Sequence, residues 1–145
     1  MPVFYTCLTV LLSLFFSAIS KGSEQRILAQ TILAEARGDG RAGMYAVAAC
    51  IKVRAQKRNL SFKQVCLQPY QFSCWNGKSL KSMEHLLKVP QAKYAIALAK
   101  NIKLLSRDFV GYANHYHATW MKKKPYWAKG KKPVKVIGQH AFYKL

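Results

Sequence analysis

Past an uncharged opening, apolar positions along this chain recur at helical spacing as far as residue 105 and alternate in short runs after residue 112. Ser23 is placed to cap a helix over Glu24–Arg37, in which Leu28, Ile32 and Glu35 share one face, and Gly38 ends it. A short Gly38–Gly40 loop leads to a second helix, Arg41–Arg58, with Met44, Val47, Ala48 and Ile51 at helical spacing and enough alanine to admit a close neighbour. Ser61 and Gln64 fit a capping box for a brief helix ending near Cys66. Pro69–Asn76 reads as a loop or short strand, Ser79–Leu87 as a weakly amphipathic helix and Pro90–Leu105 as a stronger one. Tyr112–His117, Val134–Ile137 and Ala141–Lys144 carry the alternation of strands. The pattern predicts an α+β fold: a mainly helical body with a small antiparallel sheet formed by the C-terminal third.

Residues 1–20, MPVFYTCLTVLLSLFFSAIS, have the composition of a secretory signal peptide, with Ala18-Ile19-Ser20 as a cleavage site before Lys21. The opening lacks Lys and Arg, so a membrane anchor over residues 3–20 is the alternative. The expected destination is export, to a periplasm, a cell wall or the medium. The remainder, 21–145, has the length of a single domain, and its apolar content excludes disorder. Cleavage removes Cys7 and leaves Cys50, Cys66 and Cys74. In an oxidising compartment a Cys66–Cys74 bridge across a short loop is expected, with Cys50 a buried thiol; the alternative is three reduced, packed cysteines.

Charge narrows the class. Lys and Arg number 24 against 5 Asp and Glu, a formal charge of +19, which calls for a polyanionic partner or surface. The runs Lys122–Lys124 and Lys129–Lys132 are bounded by Pro or Gly and read as loops. No recognition-helix pattern, zinc-finger spacing or aromatic RNA-binding signature accompanies them, which argues against nucleic acid and for anionic cell-envelope polymers.

Five carboxylates allow each to be weighed. Glu24 suits the first turn of its helix, Glu84 lies at pairing distance from Lys81 and Lys88, Asp108 fits a turn, and Asp39 sits between two glycines. Glu35 differs. It projects from the face its helix must bury, and it stands in the last turn, where the helix dipole disfavours a charged carboxylate. Both effects push its pKa upward, as a general acid near neutral pH requires, while Arg37 and the basic surroundings oppose them.

Ala34-Glu35-Ala36-Arg37-Gly38-Asp39 with Gly43–Ala49 resembles the opening motif of the SleB-type cell wall hydrolases, the spore-cortex lytic enzyme family. Val65-Cys66 with Gln71-Phe72-Ser73 resembles its central motif. Tyr116-His117-Ala118, Pro125–Ala128 and Ile137–Tyr143 resemble its closing motif. The three stand in the family's order over residues 27–143. The resemblance implies a lysozyme-like domain related to lytic transglycosylases, acting on peptidoglycan glycan strands, with Glu35 as the catalytic acid. Two positions depart from the pattern: Asp39 where the family has Glu, and Val53 where it has Asn.

A paired-carboxylate glycosidase needs a second acid across the cleft. Asp39 lies beyond a helix-ending glycine and Asp108 is the other loop carboxylate, so scarcity favours a one-carboxylate, transglycosylase scheme. In that scheme Glu35 protonates the leaving oxygen and then acts as base while the muramyl 6-hydroxyl closes a 1,6-anhydro ring. Simple hydrolysis by the same Glu35 is the alternative. Sugars stack on aromatic rings and bond through their hydroxyls and acetamides, which makes Gln71, Phe72, Ser73, Tyr116, His117, Trp120 and Trp127 the candidate cleft residues; Phe72 and Trp127 equally suit a core. The expected protein is a monomer needing no cofactor and no metal. Two rivals come from other classes: a metal hydrolase using His115 and His117 with His85, His140 or a cysteine, and a cationic wall- or membrane-disrupting protein.

Overall fold

The computed structural model describes residues 23–145; the predicted leader, its cleavage site and Cys7 lie outside the described residues. α1 (residues 23–36) buries Ile27, Leu28, Ile32, Leu33 and Ala36. Arg37 folds back so that its guanidinium donates to the Leu33 carbonyl at 3.2 Å, satisfying one of the open carbonyls at the helix end. The chain then makes a 3-10 turn, Arg37–Asp39, and enters α2 (Gly40–Arg58) directly. Where the glycines predict a loop, the junction is helical.

α2 is the central element. From Gly43 to Ala55 all its residues except Tyr45 are buried, the signature of a helix covered on every side. Its alanines let α3 (Phe62–Leu67), α4 (Ala92–Lys100) and the sheet approach closely. Polar residues inside this core are spent on backbone. Lys52 Nζ donates to the carbonyls of Lys103 and Leu105, both at 2.7 Å, and Arg54 Nε donates to the Asn114 carbonyl at 2.9 Å, just before the first strand. The capping box of α3 forms as predicted: Ser61 Oγ accepts from the Gln64 N–H and Gln64 Oε1 from the Ser61 N–H.

Residues 79–88 depart from the predicted helix. Ser79 and Ser82 hydrogen-bond each other's backbone, and the chain continues as turns and a 3-10 helix, Glu84–Lys88. Serines that satisfy backbone groups locally compete with a helix, and burying only Met83 and Leu86, three apart, suits the tighter winding. Glu84 pairs with Arg26 of α1, and not with a lysine of its own segment.

The sheet is fully antiparallel. β1 (His115–Ala118) and β2 (Lys135–Ile137) flank the central β3 (His140–Tyr143), and β2 and β3 are joined by a tight turn at Gly138-Gln139. Tyr116 stands opposite Phe142, and His117 opposite Ala141. Side chains alternate between faces along a strand. Phe142 therefore packs on Ala46, Ala49 and Cys50 of α2, while Ala141 and Tyr143 pack on Ala128 and Trp127 beyond the other face.

Candidate active site

The last turn of α1 holds Glu35 half-buried, and its Oε2 accepts a hydrogen bond from the Tyr116 hydroxyl at 2.7 Å. Cys74 meets the same carboxylate. Burial first, then the Glu35 charge and a hydrogen bond to it, push the Cys74 thiol up to about 12. Burial, then Glu35, likewise hold Tyr116 well above the ordinary tyrosine range. Both groups stay protonated at neutral pH, so Glu35 has a neutral donor in Tyr116 and a neutral thiol beside it.

Cys74 reaches this place because Trp75 Nε1 donates to Thr31 Oγ1 at 2.9 Å, pinning the 3-10 turn Ser73–Trp75 on α1 one helical turn before Glu35. The expected Cys66–Cys74 bridge does not form: Cys50, Cys66 and Cys74 are all free thiols. Cys66 lies by Thr31 and Cys74 by Glu35, both on α1. Burial pushes the Cys66 thiol up to about 12.

Beside Glu35 opens a cleft of about 350 Å³, lined by residues 34–39 and by Ala118, Trp120, Gln139 and His140. Trp120, 72% exposed, offers an uncovered aromatic face at its edge. On the same cleft, Asp39 Oδ2 lies 2.7 Å from His140 Nδ1 and 3.4 Å from the Gln139 backbone N–H. Asp39 is wedged between two glycines. A Cβ on Gly43 would fall 2.2 Å from the Asp39 Cβ. One on Gly138, whose φ is +56°, would fall 3.2 Å from the Asp39 carboxyl. Larger hollows of about 520 and 540 Å³ lie over α2–α3 and over α4. The first contains Glu24 and Lys52, both committed to backbone groups, and the second borders lysines without any acid.

The predicted site residues separate. Glu35 and Trp120 line the cleft, Tyr116 reaches it only through its bond to Glu35, and Ser73 is exposed next to Cys74. Gln71 points elsewhere, its Oε1 accepting from Arg58 at 3.2 Å. Phe72 is 3% exposed beneath the Arg54 guanidinium, 5.2 Å from its ring centre; it is core. His117, adjacent to Tyr116, necessarily faces away from Glu35. It is 7% exposed, with Nε2 3.0 Å from the Tyr143 hydroxyl, and it packs with Trp127 against Tyr143. His117 and Trp127 thus belong to the far face of the sheet. The metal alternative fares no better: His115 and His117 do share a face, but His85 bonds the Ser82 carbonyl and His140 is held by Asp39. Among the described residues no group of three or more His, Cys, Asp or Glu side chains is placed to hold an ion. The residues that sequence reasoning missed are Asp39 and His140 on the cleft wall and Cys74 beside Glu35.

The family model described as Cell Wall Hydrolase matches residues 38–143. The chain belongs to the SleB-type cell wall hydrolases. A cell wall hydrolase of this family degrades peptidoglycan, which puts its work outside the cytoplasm. The match begins at Gly38, just past Glu35, and does not include that residue. No curated protein and no solved structure matches the chain. No helix of the described residues is long and apolar enough to cross a membrane.

Proposed function

We propose that this cell wall hydrolase cuts the glycan strand, between N-acetylmuramic acid and N-acetylglucosamine, with Glu35 as the proton donor. The observation that carries this reading is the placement of Glu35: a half-buried carboxyl at the edge of a cleft, bonded by the Tyr116 hydroxyl and flanked by the Cys74 thiol. The neutral Tyr116 donor fixes the carboxyl's orientation without giving it a cationic partner, and an oriented acid beside a sugar-sized opening is what protonation of a leaving oxygen needs. Trp120 supplies a stacking surface for a pyranose at the same opening.

The transglycosylase course fits best. As the glycosidic bond breaks, the substrate's own acetamide stabilises the oxocarbenium-like centre, and the muramyl 6-hydroxyl closes a 1,6-anhydro ring. Asp39, the other carboxylate on the cleft, is engaged by His140 and is not free to serve as a nucleophile. The exposed lysines of 122–132 would hold the enzyme on anionic envelope polymers. Export by the predicted leader would bring it to them.

Glu35→Gln keeps the shape and removes the proton. It should lower digestion of purified peptidoglycan by about 10²–10⁴-fold with an unchanged melting temperature. Products of the wild type should carry anhydro-muramyl ends, one water lighter by mass than reducing ends. Near wild-type digestion by the variant would overturn the assignment of Glu35, and reducing ends alone would overturn the transglycosylase course. A cationic disrupter would instead leave Glu35→Gln as active as the wild type.

A further inference from the structure

We infer that Asp39 and His140 form a second catalytic pair in this cleft, in which His140, oriented by Asp39, takes the proton of the attacking hydroxyl. The inference rests on Glu35 being the acid of a glycosidase, and it relieves Glu35 of the second duty that a one-carboxylate scheme gives it.

The orientation follows from donor chemistry. A carboxylate only accepts, so the 2.7 Å contact between Asp39 Oδ2 and His140 Nδ1 places a ring hydrogen on Nδ1, and in the neutral ring the lone pair is then on Nε2. Nε2 has no protein hydrogen-bond partner among the described residues and is not sealed from solvent, and the ring borders the cleft. An acceptor nitrogen backed by a carboxylate and open to a substrate-sized space is a general base in form.

Its position relative to the acid is equally defined. Tyr116 donates to Glu35 at 2.7 Å, and its ring stands edge-on to His140, centroids 5.0 Å apart at 85°. Tyr116 thus touches both groups, and Glu35 and His140 both line the one cleft. The pair is also built into the fold. The absence of a Cβ at Gly43 and Gly138 makes the slot for Asp39, and the Gly138-Gln139 turn adds a backbone N–H to its carboxylate.

The step balances without any co-reactant. Glu35 gives its proton to the glycosidic oxygen, and the C1–O bonding pair leaves with that oxygen. The attacking hydroxyl, from the muramyl 6-position or from water, forms the new bond to C1 and passes its proton to His140 Nε2. The imidazolium rests against the Asp39 carboxylate until it releases the proton to solvent, while Glu35 takes one back.

The test uses the full chain on purified peptidoglycan, with Glu35→Gln, His140→Ala, His140→Gln and Asp39→Asn assayed together, with and without imidazole in solution. His140→Ala should lose about 10²–10³-fold in kcat with KM changed by no more than about threefold, and added imidazole should restore about tenfold or more of the loss. Asp39→Asn should lose about tenfold or more, because an amide presents the ring with the wrong partner. A folded His140→Ala at full kcat overturns the pair, as does a loss that imidazole leaves untouched. Should His140→Ala fail to fold, a folded His140→Gln or Asp39→Asn at full kcat overturns it equally. Glu35→Gln separates the two readings: if it stays active, the glycosidase reading falls; if it is inert while the His140 variants run at full rate, only the pair falls.

Discussion

On one face of the sheet Tyr116, His140 and Phe142 look toward α1 and α2; on the other His115, His117 and Tyr143 look toward Trp127. The two sets are made of nearly the same side chains. On the first face two carboxylates stand opposite, Glu35 receiving Tyr116 and Asp39 receiving His140, and a cleft opens beside them. On the second the aromatics close on one another: His117 bonds the Tyr143 hydroxyl, and His115 Nδ1 is buried without a partner among the described residues. Burial, followed by the charge of Arg54 and further cations, drops His115 to about 4. Residue type does not decide which imidazole is chemical; the element across from it does.

Removing what distinguishes the first face should cost most. Gly43→Ala places a methyl where the Asp39 Cβ sits. Helix propensity alone would favour the alanine by about 1 kcal/mol, so a net loss of about 1–3 kcal/mol in denaturant unfolding, as for other overpacked sites, would show the steric cost. Activity should fall about tenfold as Asp39 leaves His140. Full activity with raised stability would mean that the Asp39 slot does not matter.

A smaller effect sharpens the second face. Because folding depresses the His115 pKa, the unfolded chain binds its proton first as pH falls. The stability that neutral His115 permits is complete above about 6.5 and is lost between 6.5 and about 4. Melting temperature should therefore decline over that window, and His115→Gln should flatten the decline. An identical slope in both proteins would show that His115 is solvated.

Much of this was legible along the chain, in physically separable ways. α2 is announced by its alanine run, α3 by its capping box, and Glu35 by its place on the buried face of α1 close to a glycine. The two faces are legible too: along the alternating run Tyr112–His117 a period of two forbids Tyr116 and His117 from entering one cleft. The remainder depends on tertiary contacts. Cys74 reaches Glu35 only through the Trp75–Thr31 bond, and Asp39 finds His140 across 101 residues. The 3-10 helix at Glu84–Lys88 reflects serine–backbone bonds and a pairing with Arg26 that local pattern does not encode.

The division of the sheet into a working face and a packing face is tested most directly by measuring kcat and melting temperature together for Tyr116→Phe and His117→Ala. The first should lose about 10–100-fold in kcat through a loosened Glu35 while melting near the wild type. The second should lose about 1–3 kcal/mol of stability, leaving the Tyr143 hydroxyl unpaired, while its folded fraction keeps its kcat. Equal loss of rate in both variants, or a Tyr116→Phe protein at full rate, would contradict the account.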